Sequence, residues 1–170
     1  QGLDMKHIIK DNFLNTIDFD KIKSTMLGIQ FPWFVQDGPS YLKKYNVQPT
    51  VPFFWSHMFF KPNKGITSEF FNILTPILKK LDIQFLIRIK ANLYSSSSKI
   101  EKHKSHADFS FKHKGALFSL NTCNGFTMLM NNTKVKSIEN RILLFDPSKP
   151  HYSSTCTDVK IRCNININYF

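Results

Sequence analysis

The feature that most constrains the fold is an alternation of apolar and polar residues that begins near residue 84 and recurs to the end of the chain. Successive side chains of a β-strand point to opposite faces, so a period of two indicates strands. Two stretches show it most clearly, with apolar Phe85, Ile87, Ile89, Ala91 and Leu93 against Arg88, Lys90, Asn92 and Tyr94, and Ile161, Cys163, Ile165 and Ile167 against Arg162, Asn164, Asn166 and Asn168. This half is therefore predicted to be an antiparallel β unit.

Further strands are predicted between these two stretches, at 116–121, 126–130, 134–138, 141–145 and 151–156. Asn124-Gly125 predicts a hairpin turn because both residue types tolerate positive φ. Asn131-Asn132 predicts another turn. No internal repeat interrupts the pattern.

The N-terminal half has helical spacing instead. Apolar positions predict one helix over 19–27, ended by Gly28, and a second from Ser68 to Leu81 that Pro76 bends. The aromatic run 31–34 is predicted to pack onto the sheet. We therefore expect a mainly β (α+β) fold in one domain over 5–170, with helical support at 5–83 and a β core at 84–170. Residues 1–4 resemble a tag remnant ahead of Met5.

Composition excludes several protein classes. Apolar residues make up 42% of the chain and Phe alone numbers 17, which excludes the intrinsically disordered class. No apolar run approaches the roughly 18–20 residues of a membrane-spanning helix, so no membrane partner is expected. The three cysteines form no Cys-x-x-Cys pair, which excludes zinc fingers and thioredoxin-like motifs and favours a cytoplasmic location over a secreted disulfide framework.

The chain is strongly basic, with 23 Lys and Arg against 12 Asp and Glu and a formal charge of +11. Part of this charge lies in the segment 99–114, which contains Lys99, Lys102, Lys104, Lys112 and Lys114. Such a segment is consistent with a nucleic-acid-binding face and equally with a solvated face that keeps the protein soluble. Both interpretations stay open, since no known nucleic-acid-binding motif is present.

The polar faces of the two clearest strands are unusual for a solvent surface. Residues such as Arg88, Asn92, Tyr94, Arg162 and Asn164 are hydrogen-bonding groups suited to a polar cavity. An ordinary wet face is the alternative. We favour the cavity because helices are present to cover the isoleucine faces, and β-barrels accept polar interiors that hold ligands.

Four residues form a candidate site for chemistry. His106 and Asp108 are two positions apart, so they share one side of an extended chain. With the later His151 they make up two imidazoles and one carboxylate, the ligand set of non-haem Fe(II) oxygenases. Arg162 fits as a bidentate clamp for a remote carboxylate. His103 and His113 lack the spacing to Asp108 and are predicted to be basic surface residues, and the cysteines are predicted to be packing residues.

These residues occur in sequence surroundings that resemble the Fe(II)/2-oxoglutarate-dependent dioxygenases, particularly the prolyl-hydroxylase-like branch. The matching motifs are His106-Ala107-Asp108-Phe109, Leu120-Asn121, Asn124-Gly125-Phe126-Thr127, Asn140-Arg141-Ile142-Leu143-Leu144-Phe145, and the pair His151 and Arg162. Phe126 and Asn140 stand where the family has glycine. The resemblance covers about residues 84–170. The sequence as a whole is also similar to small members of the family encoded by marine bacteriophages, which would place the protein in the host cytoplasm.

The resemblance implies a double-stranded β-helix, a jelly-roll of the cupin-like kind. It implies Fe(II) held by the triad of His106, Asp108 and His151, with 2-oxoglutarate and O2 as co-substrates. Arg162 would bind the far carboxylate of 2-oxoglutarate.

Three further residues complete the predicted co-substrate site. Tyr94 matches the tyrosine that often lies beside the co-substrate in this family. Asn92 and Asn164 are also predicted to help bind it. The sequence departs from the family at Ser119, where several prolyl hydroxylases have a tyrosine, so another hydroxyl is expected to substitute.

The implied reaction is hydroxylation of a C–H bond coupled to decarboxylation of 2-oxoglutarate to succinate and CO2. The favoured substrate is a protein or peptide residue such as proline. A nucleobase or nucleoside oxygenase and a non-catalytic ligand-binding β-barrel are the alternatives. We expect a monomer or weak homo-oligomer. Residues 37–66 are expected to form a lid or wall of the site, with simple packing as the alternative.

Overall fold

The computed structural model describes residues 7–36 and 54–170, and within them the chain is mainly β, as predicted. The strands are β1 (Ile8–Lys10), β2 (Phe34–Gln36), β3 (Phe54–Lys61), β4 (Gly65–Ile66), β5 (Leu86–Ser95), β6 (Lys114–Ser119), β7 (Phe126–Leu129), β8 (Lys134–Lys136), β9 (Arg141–Phe145), β10 (His151–Ser153) and β11 (Ile161–Tyr169). The helices are α1 (Thr16–Met26), a 3₁₀ turn (Phe71–Leu74) and α2 (Thr75–Lys80). None of the described helices is long and apolar enough to cross a membrane.

Two antiparallel sheets face each other in the manner of a jelly-roll. The larger has eight strands, in the order β1-β9-β6-β11-β5-β3-β2 with β4 beside β3, and the smaller has the order β10-β7-β8. A small apolar cluster joins them, in which Leu129 and Val135 of the smaller sheet pack on Leu143 and Phe145 of the larger. The predicted double-stranded β-helix class is thus confirmed.

The isoleucine face of the larger sheet turns away from the smaller sheet and forms the main core. Ile89, Ile165 and Ile167 are each 0% exposed and pack with residues of the N-terminal helices. The polar residues that alternate with them therefore line the space between the sheets, where Arg162 is 1% and Asn164 2% exposed. This burial supports the cavity interpretation over a wet face. Phe85 departs from the predicted face, since it precedes β5 and is 71% exposed.

The first predicted helix is present but starts three residues earlier, at Thr16. Asn15 caps it, because the backbone N–H of Asp18 donates to Asn15 Oδ1 at 2.9 Å. Phe19, Ile22 and Met26 are buried on one side, as their spacing predicts. Hydrophobic periodicity alone finds the buried face and misses the capped first turn.

The second predicted helix was wrong in its start and in its bend. Residues 71–74 form a 3₁₀ turn, and the α-helix begins only at Thr75, with Pro76 in its first turn. A proline costs nothing there, since the first-turn N–H groups have no intrahelical acceptor. Pro76 therefore starts a short helix instead of bending a long one.

Of the two predicted turns, one is confirmed and one is wrong. Asn132 has φ +61° and joins β7 to β8, its antiparallel neighbour. Asn124-Gly125 makes no hairpin, because β6 pairs with β9 and β11 while β7 pairs with β10 and β8. This segment instead carries the chain from one sheet to the other.

The predicted helical half also contains strands. Residues 54–66 of the segment 37–66 form β3 and β4, and β3 pairs with β5 and β2. Phe31 is 5% exposed and packs on the core as predicted, whereas Phe34 lies 60% exposed on the edge strand β2. Residues 37–53 and the expected tag at 1–4 lie outside the described residues.

The buried imidazole of His57 makes the stability of the fold depend on pH. The ring is buried, with Nδ1 2.7 Å from the Pro32 carbonyl oxygen and Nε2 2.7 Å from Ser68 Oγ. Burial lowers the pKa of His57, so the folded state takes up this proton less readily than the unfolded chain does. Stability from this effect is complete above the unfolded pKa and is lost as the pH falls below it.

We therefore expect the melting temperature to drop between about pH 7.5 and about pH 5.5, and to drop less in His57→Gln. Differential scanning fluorimetry across that range measures both slopes. His103 and His151 leave a residual slope, since burial lowers their pKa values too. Equal slopes in the two proteins would contradict the assignment to His57.

Candidate active site

Three side chains from two parts of the chain converge at the edge of the space between the sheets. One donor atom each from His106, Asp108 and His151 lies within 4.8 Å of the other two. His106 Nε2 is 3.7 Å and His151 Nε2 is 4.0 Å from Asp108 Oδ1. The two histidines face each other across an isolated antiparallel bridge, with reciprocal backbone hydrogen bonds of 3.0 and 2.9 Å. The backbone thus brings His151 to the pair His106 and Asp108, as the predicted ligand set requires.

Backbone carbonyls orient both imidazoles. His106 Nδ1 lies 3.1 Å from the Lys104 carbonyl oxygen, and His151 Nδ1 lies 2.9 Å from that of Lys149. A carbonyl can only accept, so each Nδ1 carries a proton, and in a neutral imidazole Nε2 then keeps its lone pair. This tautomer is the one that binds a cation through Nε2.

Asp108 is held as a carboxylate. Burial acts to raise its pKa, but His106, Arg88, His151 and Asn166 together hold that pKa well below the usual range. Arg88 Nη2 lies 3.0 Å from Asp108 Oδ1. The site therefore offers a negative oxygen beside two imidazoles, and the contact with Asp108 raises the pKa of His106.

A ladder of amides holds the second oxygen of Asp108. Asn166 Nδ2 donates to Asp108 Oδ2 at 3.0 Å, and Asn168 Nδ2 donates to Asn166 Oδ1 at 2.8 Å. His113 Nε2 then lies 2.7 Å from Asn168 Oδ1. An ionised carboxylate only accepts, so it sets the direction of every amide in the ladder. The alternating asparagines of β11 thus fix the carboxylate orientation from one side.

Asn168→Ala is expected to weaken binding of a divalent metal about ten-fold, because it frees the Asn166 amide to rotate away from Asp108. Isothermal titration with Mn(II) measures the affinity. Asn164→Ala is the matched control, since Asn164 lies on the same face of β11 but accepts from Asn92 instead. An equal loss in both variants would show a general weakening of the strand and contradict this role.

Arg162 lies deeper between the sheets and carries a buried charge. Its Nη1 donates to Ser153 Oγ at 2.5 Å and to the Ser154 carbonyl at 3.0 Å, and Nη2 donates to Thr127 Oγ1 at 3.0 Å. Its Nε has no hydrogen-bond partner, and no described carboxylate lies within ion-pair distance of the guanidinium. A buried cation with an orphaned N–H and no described counter-ion fits an incoming carboxylate.

Gly125 permits this placement of Arg162. A Cβ at Gly125 would lie 2.6 Å from Arg162 Cδ and 2.9 Å from the Thr155 carbonyl oxygen. Glycine is thus required at this position by the close approach of the Arg162 side chain, and not by the predicted turn. Thr127 and Ser153 were not predicted as site residues. The family-like motif Asn124-Gly125-Phe126-Thr127 was the available signal for Thr127, whereas no sequence pattern marks Ser153.

The other predicted co-substrate residues lie on the same polar faces. The Tyr94 ring centroid is 5.8 Å from Arg162 Cζ, and burial raises the Tyr94 pKa. Asn92 Nδ2 donates to Asn164 Oδ1 at 3.3 Å, and Ser119 is opposite Asn164 in the neighbouring strand. Their roles toward a co-substrate stay predictions.

Two histidines predicted to be surface residues are not. His103 packs its ring 4.7 Å from the Tyr94 ring, and burial first, then the charges of Arg162 and His106, lower its pKa to about 4. His113 is 3% exposed and ends the amide ladder. Spacing correctly left both out of the triad, but it could not show that His103 is half-buried and His113 is buried. All three cysteines are buried and free.

No family model and no curated protein matches the sequence. Among solved structures, the chain is similar to a prolyl hydroxylase from Trichoplax adhaerens in complex with a hypoxia-inducible-factor peptide, at 17% identity and TM-score 0.68 over 96% of this chain and 83% of the other. It is also similar to the viral collagen prolyl hydroxylase of Paramecium bursaria Chlorella virus-1, solved with 2-oxoglutarate, at 13% identity and TM-score 0.59 over 95% and 94%.

A third similar structure is the non-haem α-ketoglutarate-dependent epimerase SnoN of nogalamycin biosynthesis, at 10% identity and TM-score 0.64 over 96% of this chain and 77% of the other. The three share one fold with this chain. They confirm the predicted resemblance at the level of the fold, and the epimerase shows that this fold hosts more than one outcome. A phage origin stays a prediction.

Proposed function

We propose that the protein is an Fe(II)- and 2-oxoglutarate-dependent dioxygenase that hydroxylates a C–H bond of a peptidyl residue, with proline as the first candidate. The observation that carries this proposal is the pairing of two sites in one space. A triad of two imidazoles and one carboxylate shares the polar interior with a buried arginine that has no described carboxylate partner. A triad of this kind and a buried arginine are each common, but the two in one space are suited to binding an iron ion and a keto acid together.

The residues divide the work by their chemistry. His106, Asp108 and His151 would hold Fe(II), since two imidazoles and a carboxylate leave coordination positions open. Arg162 would hold the far carboxylate of 2-oxoglutarate, with Ser153, Thr127 and Tyr94 as the hydroxyl groups around that end. When bound, Fe(II) and 2-oxoglutarate use O2 to form succinate and CO2 and to deliver one oxygen atom to a substrate C–H bond.

Burial supports the direction in which the co-substrate would lie. Arg162 is 1% exposed, whereas the His106 side chain is 54% exposed. The anion would therefore enter with its far carboxylate deepest, and the reacting end would lie near the open rim. This orientation leaves the rim beside His106 for the substrate.

The peptide class is supported by two similar proteins whose names identify them as prolyl hydroxylases, one of them solved with a peptide. The basic exposed residues Lys102, Lys104 and Lys112 near the rim support a nucleobase or nucleoside substrate as the second candidate. Binding to single-stranded nucleic acid with a steep salt dependence would favour that second candidate.

The proposal is tested by following succinate formation from 2-oxoglutarate with purified protein, O2 and Fe(II), against panels of proline peptides and nucleosides. Succinate should require Fe(II) and should rise with the true substrate. Anaerobic addition of Fe(II) and 2-oxoglutarate should also produce a weak visible charge-transfer band. A band without succinate formation on any substrate of the panels would favour the non-catalytic binding barrel. The absence of both the band and succinate would overturn the proposal.

A further inference from the structure

Three cations share the polar face around the triad. Arg88, Lys90 and Arg162 come from β5 and β11, and Arg88 pairs with Asp108 at 3.0 Å. Within the described residues, Asp108 is the only carboxylate at ion-pair distance from any of the three. Lys90 has instead an aromatic neighbour, with Nζ 5.1 Å from the Phe54 ring centroid.

This face keeps its positive excess when the co-substrates bind. Three cations and one carboxylate leave two positive charges. Fe(II) adds two positive charges, and the 2-oxoglutarate dianion removes two, so the excess is unchanged. Unbalanced charge in a buried site is costly, and a third component with negative charge would lower that cost.

Lys90 is the cation placed to meet such a component. Burial first, then the like charge of Arg88, lower its pKa to about 8, with a smaller opposing effect from Asp108. Its ammonium is therefore still charged at neutral pH. Arg162 would be engaged with 2-oxoglutarate and Arg88 already is with Asp108, so Lys90 remains.

A cavity adjoins Lys90 on the side away from the triad. It is a half-open cleft with a volume of about 510 Å³, which is within the usual range of ligand sites. Lys90 lies opposite Met58 in β3 on one side and opposite Asn166 in β11 on the other. Since Asn166 bonds Asp108, Lys90 stands between the triad and the cavity. Apolar walls come from Phe34, Met58 and Phe70, and Ser56 adds a hydroxyl. The charged lining residues are Lys61, Glu69 and Lys90, which leave one net positive charge.

We propose that this cavity receives an acidic peptide segment, in which a carboxylate next to the oxidised residue pairs with Lys90 while an apolar side chain packs on Phe34 and Phe70. The inference rests on the proposed function and deepens it by naming the charge of the substrate. It predicts discrimination by charge at the position adjoining the reacting residue, which the triad alone would not supply.

The test uses three blocked heptapeptides with a central proline flanked by aspartate, by asparagine or by lysine. Isothermal titration under anaerobic conditions measures their binding to the full chain loaded with Mn(II) and 2-oxoglutarate. The aspartate peptide is expected to bind about ten-fold more tightly than the asparagine peptide. Lys90→Met should reduce that preference to below about two-fold, as expected for loss of one ion pair.

Lys136→Met is the matched control, because Lys136 is an exposed lysine of β8 that does not line the cavity. It should keep the preference. The inference is overturned if wild type shows no preference for aspartate, if Lys90→Met retains it, or if no peptide binds. Tight binding of an oligothymidylate in place of the peptides would overturn it too. Succinate formation without any peptide, in the presence of Fe(II), 2-oxoglutarate, O2 and ascorbate as the reductant, tests the proposed function separately, because this uncoupled reaction does not need the peptide site.

Discussion

Replacing His106 with alanine is expected to abolish succinate formation and to weaken Fe(II) binding by more than the roughly 10–100-fold that loss of a residue supporting a metal ligand costs. The variant removes one of only two imidazole donors in the triad. Its side chain is 54% exposed, so the substitution leaves no core cavity and the fold should survive. Metal content after dialysis and succinate formation measure the two effects.

His103→Ala is the matched control, because His103 is a histidine in the same segment whose ring packs on Tyr94 outside the triad. It should keep its metal. A second variant, His106→Gly, should regain part of its metal binding when free imidazole is added, since the open rim admits the ring. Full metal content in His106→Ala would contradict the role of this residue as a ligand.

The fold was predictable from the sequence where one physical signal dominates. In β5 and β11 the period of two is unbroken because one face packs on the N-terminal helices and the other on the polar interior. The prediction of the fold from the sequence failed where two signals compete. Asn124-Gly125 has the composition of a hairpin turn, yet the glycine is required by the approach of Arg162 Cδ. Composition cannot tell the two demands apart.

The strands of the N-terminal half were missed for a related reason. In β3, polar Ser56 and His57 are buried beside Phe59, so the segment shows no alternation. Their burial depends on residues outside this segment. Ser56 pairs with Phe34 and Asn92 in the neighbouring strands, and the His57 ring contacts the Pro32 carbonyl and Ser68. Such partners exist only once the fold has formed.

The candidate site was predictable in its first members and not in its supports. The spacing of His106 and Asp108 indicated one face, the family resemblance added His151, and the structure brings the three together. The amide ladder depends on register, which places Asn166 beside Asp108 and Asn168 beside His113. A local sequence pattern contains no register between distant segments, so His113 looked like a surface residue.

The contacts of Arg162 allow binding and folding roles to be separated. Its guanidinium is desolvated, and its described partners are two hydroxyls, a backbone carbonyl and the Tyr94 ring. These neutral groups position the charge without neutralising it. If the arginine served folding, its replacement should lower stability. If it binds an incoming carboxylate, the protein without 2-oxoglutarate should tolerate a neutral residue at this position.

Arg162→Gln is therefore expected to lose at least about 100-fold in affinity for 2-oxoglutarate, since truncating one partner of a buried hydrogen-bonded charge pair costs 2–5 kcal/mol or more. Without 2-oxoglutarate, the melting temperature should be equal to that of wild type or higher, because a buried unpaired charge has been removed. Arg162→Lys should keep the charge but bind 2-oxoglutarate poorly, as an ammonium lacks the planar fork. Anaerobic titration of the visible band measures the affinity, and scanning fluorimetry with and without 2-oxoglutarate measures stability. A lowered melting temperature with unchanged affinity would assign Arg162 to the fold and leave the carboxylate without its binding residue.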